Sequence, residues 1–264
     1  MKLIVLAAGF ATRLYPLTLK VPKALLPIGP VKDSSEKLLI DHVLDAASGI
    51  TGIDQIHIVA NALFFDQFVA WTKHRQTNQN SPPIDLVNDG ATDENKRLGA
   101  VGDLQFVINE RNIDDDIAVI AGDNLFSQPL TGFGEYCRSK NAPVVGVYDV
   151  GDLRHVSKYS EVRNETDGLI TFFEEKPPKP NTTLVAIALY YYPRHALPLI
   201  KEYLDAGNNP DHSGRLIQWL YSRARCYAWP VPGTWLDVGS PETFEAARRM
   251  FGCENSLSST NRNL

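Results

Sequence analysis

Residues 6–28 read "LAAGFATRLYPLTLKVPKALLPI". They are the end of an apolar run, "KLIVL" (2–6), that passes directly into small residues, a glycine and then two cations, Arg13 and Lys23. A short run of branched apolar residues is the signature of a strand buried on both faces of a parallel sheet. In an open α/β sheet the loops beyond the carboxyl ends of the strands form the ligand crevice, and small residues there let backbone amides approach an anion closely. The first 32 residues contain Lys2, Arg13, Lys20, Lys23 and Lys32 and no Asp or Glu, although the whole chain has a net charge of −5. The loop is therefore expected to bind an anion. Its glycine spacing matches neither GxxxxGK[ST] nor GxGxxG, which disfavours a P-loop kinase and a dinucleotide dehydrogenase.

Outward from this loop, strand-like runs alternate with helix-like segments. "KLLIDHVLDAAS" (37–48) has apolar residues at helical spacing, "IHIVAN" (56–61) is a strand, and "ALFFDQFVAWTKHR" (62–75) a helix. The strand "IDLVND" (84–89), helix "KRLGAVGDLQFVINER" (96–111), strand "DIAVI" (116–120), helix "LTGFGEYCRSKN" (130–141) and strand "PVVGVYDV" (143–150) continue the pattern. Strands separated by helices imply right-handed crossovers and an α/β fold with a Rossmann-like layered mixed sheet. Beyond Asp152, "EVRNE", "GLITFFEE" and "TLVAIALYYYP" follow one another with turns rather than helices between them, which reads as a strand-rich insertion or second lobe. Helices are expected at 194–204, 215–224 and 240–251, with a strand at "CYAWPV" (226–231); the polar segment 253–264 reads as a flexible tail.

With 264 residues, 44% hydrophobic and 22% charged, the chain can bury one sizeable core. Mild acidity with locally clustered cations argues against a nucleic-acid binder, whose surface should be broadly basic. No stretch approaches the roughly 20 apolar residues that span a bilayer, and "MKLIVLAAG" is too short for a signal peptide. Cys137, Cys226 and Cys253 lie far apart without a CxxC motif, which suits free thiols in a reducing compartment and a cytoplasmic address. The six histidines, His212 among them, show no ligand spacing and read as ordinary surface or core residues.

Two carboxylates carry more information. Asp123 in "AGDN" (121–124) directly follows a strand, and Asp237 in "GTWLDVGSPE" (233–242) lies between a short apolar strand and a helix. Magnesium takes one or two carboxylates plus phosphate oxygens and water, so the two could converge on one Mg²⁺. Asp123 alone reads equally well as a helix cap.

The first loop, with "RLGAVGDL" (97–104), "AGDN", "EEKP" (174–177) and "GTWLDVGSPE" in that order, resembles the sugar-1-phosphate nucleotidylyltransferases, enzymes that make nucleotide sugars. The resemblance covers nearly the whole chain. It implies one domain over 1–252, its nucleotide-binding part at about 1–150 and its sugar-binding part at about 151–252. It implies that Arg13 and Lys23 are catalytic, holding the triphosphate and the reacting phosphates, and that Asp123 and Asp237 hold Mg²⁺. Ala8, Gly9, Thr12 and Arg13 would contact the nucleotide, with Leu98 and Gly99 nearest the base. Glu175 would bind sugar hydroxyls and Lys176 the sugar's phosphate.

Three positions depart from the family pattern. Ser160 and Ala188 stand where glycines are usual, Thr183 where an Asn is expected, and all three should line the sugar half; Ala11 for Gly is a milder change. The implied substrates are an NTP, dTTP or UTP favoured, and a sugar 1-phosphate, glucose 1-phosphate favoured. A cytidylyltransferase acting on a phosphorylated alcohol and a non-catalytic sugar-nucleotide sensor remain open alternatives. No nucleic-acid or membrane partner is implied. Relatives often form dimers or tetramers, so a homo-oligomer is an open expectation, and no hexapeptide repeat follows residue 252.

Overall fold

The computed structural model describes residues 1–28, 37–75 and 81–251. The expected tail and Cys253 lie outside them. β1 (Lys2–Leu6) is followed by α1 (Leu39–Ala47), β2 (Gln55–Ala60), α2 (Phe65–His74), β3 (Ile84–Asn88), α3 (Ala100–Glu110) and β4 (Ile117–Ala121), in the alternation that the hydrophobic pattern predicts. β1 pairs in parallel with both β2 and β4, and β2 in parallel with β3. Alternation along β1 sends Leu3 and Val5 into one core with α1 and α2, and Ile4 into another with α3. Helices thus cover both faces of the sheet. Each fully buried Val, Leu or Ile contributes about 1.5–3 kcal/mol relative to exposure, so stability resides in the middle of the strands and their ends are free to carry polar groups.

β5 (Asn124–Phe126), α4 (Phe133–Lys140), β6 (Val144–Asp149) and the single turn α5 (Leu153–Val156) come next. Then follow β7 (Ser160–Asn164), β8 (Ile170–Glu175) and β9 (Leu184–Tyr192). β7 and β8 pair as an antiparallel hairpin, and the start of β7 pairs with β9. β9 runs antiparallel between β4 and β6 in the middle of the main sheet, whose order is β6-β9-β4-β1-β2-β3 across these strands. The strand-rich region is therefore stitched into the sheet rather than set apart as a lobe: "LVAIALYYY" is apolar on both faces and requires cover on both.

The chain closes with α6 (Leu197–Asp205), α7 (Ser213–Leu220), β10 (Tyr227–Pro230), β11 (Trp235–Asp237) and α8 (Pro241–Phe251). β10 extends the sheet beside β6. α7 begins two residues earlier than the pattern indicates, because Ser213 and Gly214 give no apolar signal. Cys137 and Cys226 are buried free thiols, and burial pushes the Cys226 thiol up to about 12. Among the described residues no helix is long and apolar enough to cross a membrane.

Candidate active site

The parallel pairing of β1 with β4 sets Leu6 beside Ala121, so the loops that follow the two strands leave the sheet together. Gly122 makes their contact possible: its amide donates to the Leu6 carbonyl at 2.9 Å, and a Cβ there would lie 3.2 Å from that oxygen and 3.3 Å from Ala7 Cβ. The first loop is fixed from within. Asn61 Nδ2 donates to the Ala8 carbonyl at 2.8 Å, and Thr18 Oγ1 to the Ala11 carbonyl at 2.8 Å. Ala11 has φ 51°, in the left-handed region where glycine is at ease, which accounts for the glycine common at this position in the family pattern.

Lys23 opens a 3₁₀ turn whose Ala24 and Leu25 are buried, and this anchoring turns its ammonium onto the Asp123 carboxylate. Asp123 caps no helix; it leads into β5, which pairs antiparallel with β11 and sets Asp237 opposite Asn124. The Val238 amide donates to the Asp123 carbonyl at 3.0 Å. Two acidic residues 114 positions apart in sequence are thereby neighbours. Burial raises the Asp123 carboxyl, but the Lys23 charge and hydrogen bond, with help from Asn124, outweigh it and hold the group below its usual range. Asp237 has no such partner, and burial together with the Asp123 charge pushes it up to about 6.

Two adjoining cavities open on this centre. The larger, about 500 Å³, is lined by Ala8, Gly9, Thr12, Arg13, Lys23, Gly99 and Asp123 among others. The smaller, about 240 Å³, is lined by Ser160, Glu175, Lys176, Ala188 and Asp237 among others. Arg13, Asp123, Ala188 and His212 border both. Arg13 is exposed and has no ion pair among the described residues. Gly9 needs no glycine for packing, since a Cβ there would meet nothing within 4 Å.

Two expected residues lie elsewhere. Leu98 is half-buried but does not line the large cavity; its Cβ lies 3.1 Å from where a Cβ on Gly102 would be, so it folds over the first turn of α3. Thr183 lines neither cavity, because it precedes β9 and its hydroxyl hydrogen-bonds Asp149. Ser160 is in the small cavity, but its hydroxyl donates to Glu175 Oε2. Glu175 is further held by its backbone amide, which donates to Gln218 at 2.9 Å.

The sequence reading missed the segment 210–213, of which Asp211, His212 and Ser213 form one wall of both cavities. Gly99, at φ 81°, packs so closely that a Cβ would lie 2.7 Å from the Pro210 carbonyl. Arg97 holds Asp211 with two hydrogen bonds of 3.1 Å. His212, read from sequence as ordinary, approaches Lys176 Nζ at 3.3 Å, and burial with the Lys176 charge keeps its imidazole low and neutral. No local periodicity marks these residues.

The sequence model of the nucleotidyl transferase family matches residues 2–251. The chain belongs to that family. A Sulfolobus acidocaldarius protein named for mannose-1-phosphate guanyltransferase is 29% identical over 244 residues, covering 91% of this chain and 60% of its own length. The UTP–glucose-1-phosphate uridylyltransferase of Synechocystis is 28% identical over 271 residues, covering 96% of this chain and 64% of its own length. The chain thus spans about three fifths of the curated relatives it matches. The solved structures share its fold. A Bacillus anthracis chain named for glucose-1-phosphate thymidylyltransferase superposes with a TM-score of 0.78 at 23% identity over 94% of both chains. UDP-glucose pyrophosphorylase bound to UDP-glucose gives a TM-score of 0.76 at 22% identity, over 95% of this chain and 97% of the other.

Proposed function

We propose that the chain is a sugar-1-phosphate nucleotidylyltransferase, moving a nucleoside monophosphate from an NTP to a sugar 1-phosphate and releasing pyrophosphate. The observation that carries this reading is that two cavities, one walled by the acid-free loop and one by Glu175 and Lys176, meet at Arg13 and Asp123, with Asp237 on the wall of the smaller. The relatives' names differ in base and sugar, so the favoured pair, dTTP or UTP with glucose 1-phosphate, rests on the motif resemblance.

In this reading the nucleotide occupies the large cavity, with its phosphates along the backbone of Ala8, Gly9 and Thr12. Lys176 and His212 hold the phosphate of the sugar, and Glu175, oriented by Ser160, accepts from sugar hydroxyls. A phosphate oxygen attacks the α-phosphorus in line, and the bond to pyrophosphate breaks. Little covalent work falls to the protein, so rate comes from positioning and charge stabilisation. Arg13 faces the charge that develops on the leaving pyrophosphate. Lys23 exchanges Asp123 for the phosphates when they arrive.

Asp123 and Asp237 fit Mg²⁺: they are adjacent hard oxygen donors whose mutual repulsion, evident in the raised Asp237, a dication would relieve. Among the described residues no group of three or more His, Cys, Asp or Glu could hold a metal. Two carboxylates leave the remaining positions to phosphate oxygens and water, as magnesium prefers. When bound, the ion would neutralise triphosphate charge.

The deciding experiment is pyrophosphate release across a panel of triphosphates, sugar 1-phosphates and phosphocholine. Release that requires both an NTP and a sugar 1-phosphate supports the reading. Release without the sugar phosphate, or only with CTP and phosphocholine, overturns it.

Two glycine substitutions separate the cavities. Gly9→Ala should leave Tm within about 2 °C, because the Cβ meets no protein atom. It should raise the KM for NTP about 10-fold, about 1.4 kcal/mol of lost binding, by intruding on the phosphate path. Gly214→Ala places a Cβ 2.0 Å from Glu175 Oε2 and 2.7 Å from Ser160 Oγ. The Glu175 carboxylate can swing away, so the protein should fold. The KM for sugar 1-phosphate should then rise about 10-fold while that for NTP holds, a loss of the same size at the other site. Steady-state kinetics with each substrate varied checks both.

A further inference from the structure

Asp103 on α3 also lines the large cavity, and the mechanism above makes no use of it. It is 7% exposed, its backbone amide donates to the Gly99 carbonyl at 2.7 Å, and its carboxyl lies against that of Asp89. Asp89 follows β3 and is 9% exposed. It is anchored twice: its amide donates to the Ala60 carbonyl at 3.1 Å, and its Oδ1 accepts from the Ala91 amide at 2.7 Å. Asp89 Oδ2 and Asp103 Oδ1 are buried with no donor from elsewhere among the described residues. One proton shared between the two carboxyls satisfies both oxygens. Burial, followed by the Asp89 charge, pushes Asp103 up to about 8, so at neutral pH Asp103 keeps that proton and donates it to Asp89. The other oxygen of Asp103, Oδ2, is not among the buried unpartnered atoms, and the residue lines the large cavity, so Oδ2 is the acceptor available to a ligand there.

A purely structural contact would not need this arrangement, since a pair of amides or apolar side chains fills the same space without burying like charges. We propose that Asp103, braced by Asp89, is a specificity-determining residue that reads the nucleotide base by accepting a hydrogen bond from a ring N–H. Thymine and uracil at N3, and guanine at N1, carry such a proton. Cytosine N3 and adenine N1 carry a lone pair there, which would face the Asp103 oxygen unfavourably. A site built to hydrogen-bond a group discriminates strongly against analogues that lack it, because a buried polar atom is then left unpaired. The assignment rests on the reading of the large cavity as the nucleotide site.

The test is calorimetric binding of dTTP, UTP, GTP, CTP and ATP, with inorganic tripolyphosphate as a probe without a base, to the wild type, Asp103→Leu and Asp103→Asn. The wild type should bind at least one of dTTP, UTP and GTP about 10-fold or more tighter than CTP and ATP. Asp103→Leu should reduce that preference to about threefold or less with tripolyphosphate affinity unchanged. Asp103→Asn should keep the preference, because its amide NH₂ donates to Asp89 and its carbonyl still faces the cavity. Retained preference in Asp103→Leu, a parallel loss of tripolyphosphate binding, or loss of preference in a folded Asp103→Asn overturns the role of Asp103. If the wild type binds tripolyphosphate but does not rank the bases, this assignment fails and the phosphate site stands. If it binds none of the probes, the nucleotide reading fails with it. The shared proton has its own signature. A carboxyl raised in the folded state stabilises fully below its unfolded value near 4 and loses that contribution as pH rises through about 8. Wild-type Tm should fall across that window, and Asp103→Asn should flatten the fall.

Discussion

Arg13→Ala and Lys23→Ala should each lower kcat by roughly 100-fold or more, the effect of removing one charge preorganised for a phosphoryl-transfer transition state. Their stabilities should differ. Arg13 is exposed and without an ion pair among the described residues, so its removal should leave stability within about 0.5 kcal/mol. Lys23 is half-buried against Asp123, with Asp237 beyond. Its loss leaves two carboxylates facing each other uncompensated and should destabilise by about 1–3 kcal/mol. Thermal melts run beside single-turnover kinetics separate the two effects. Near-normal turnover in a folded Arg13→Ala variant would remove the loop from the reaction centre.

What could be read from the chain alone follows the range of each physical signal. "KLIVL" and "DIAVI" carry their burial in their own composition, so β1, β4 and the loops beyond them were legible, and with them Gly9, Arg13, Lys23 and Asp123. Asp237 was legible because it stands between an apolar strand and a helix start. β5, only three residues long, was not, since its existence depends on β11 arriving from over a hundred residues away. The central position of β9 was equally hidden: an aromatic, apolar run fixes that it is buried, not which strands bury it. Asp103 is the clearest case. In sequence it is an ordinary acid in the first turns of a helix, and only the fold brings Asp89 against it.

Asp237→Asn should abolish turnover, by roughly 100-fold or more, while leaving the protein more stable. The two halves of this expectation come from one arrangement. Asp237 is largely buried, bears the repulsion of Asp123, and receives only partial relief from Lys23 and Arg13. A neutral amide of the same shape escapes that repulsion, and a gain of about 1 kcal/mol, roughly 2–4 °C in Tm, is expected. Asp123→Asn should also stop turnover but destabilise, because it discards the partner of Lys23. Chelator should silence the wild type and added Mg²⁺ restore it, whereas neither variant should recover at any Mg²⁺ concentration that the wild type tolerates. A carboxylate kept for packing would show the reverse for Asp237, with turnover intact and Tm lowered. An acid maintained where it weakens the fold is explained by what it binds during turnover, and measuring Tm and kcat on the same Asp237→Asn preparation decides whether that explanation holds.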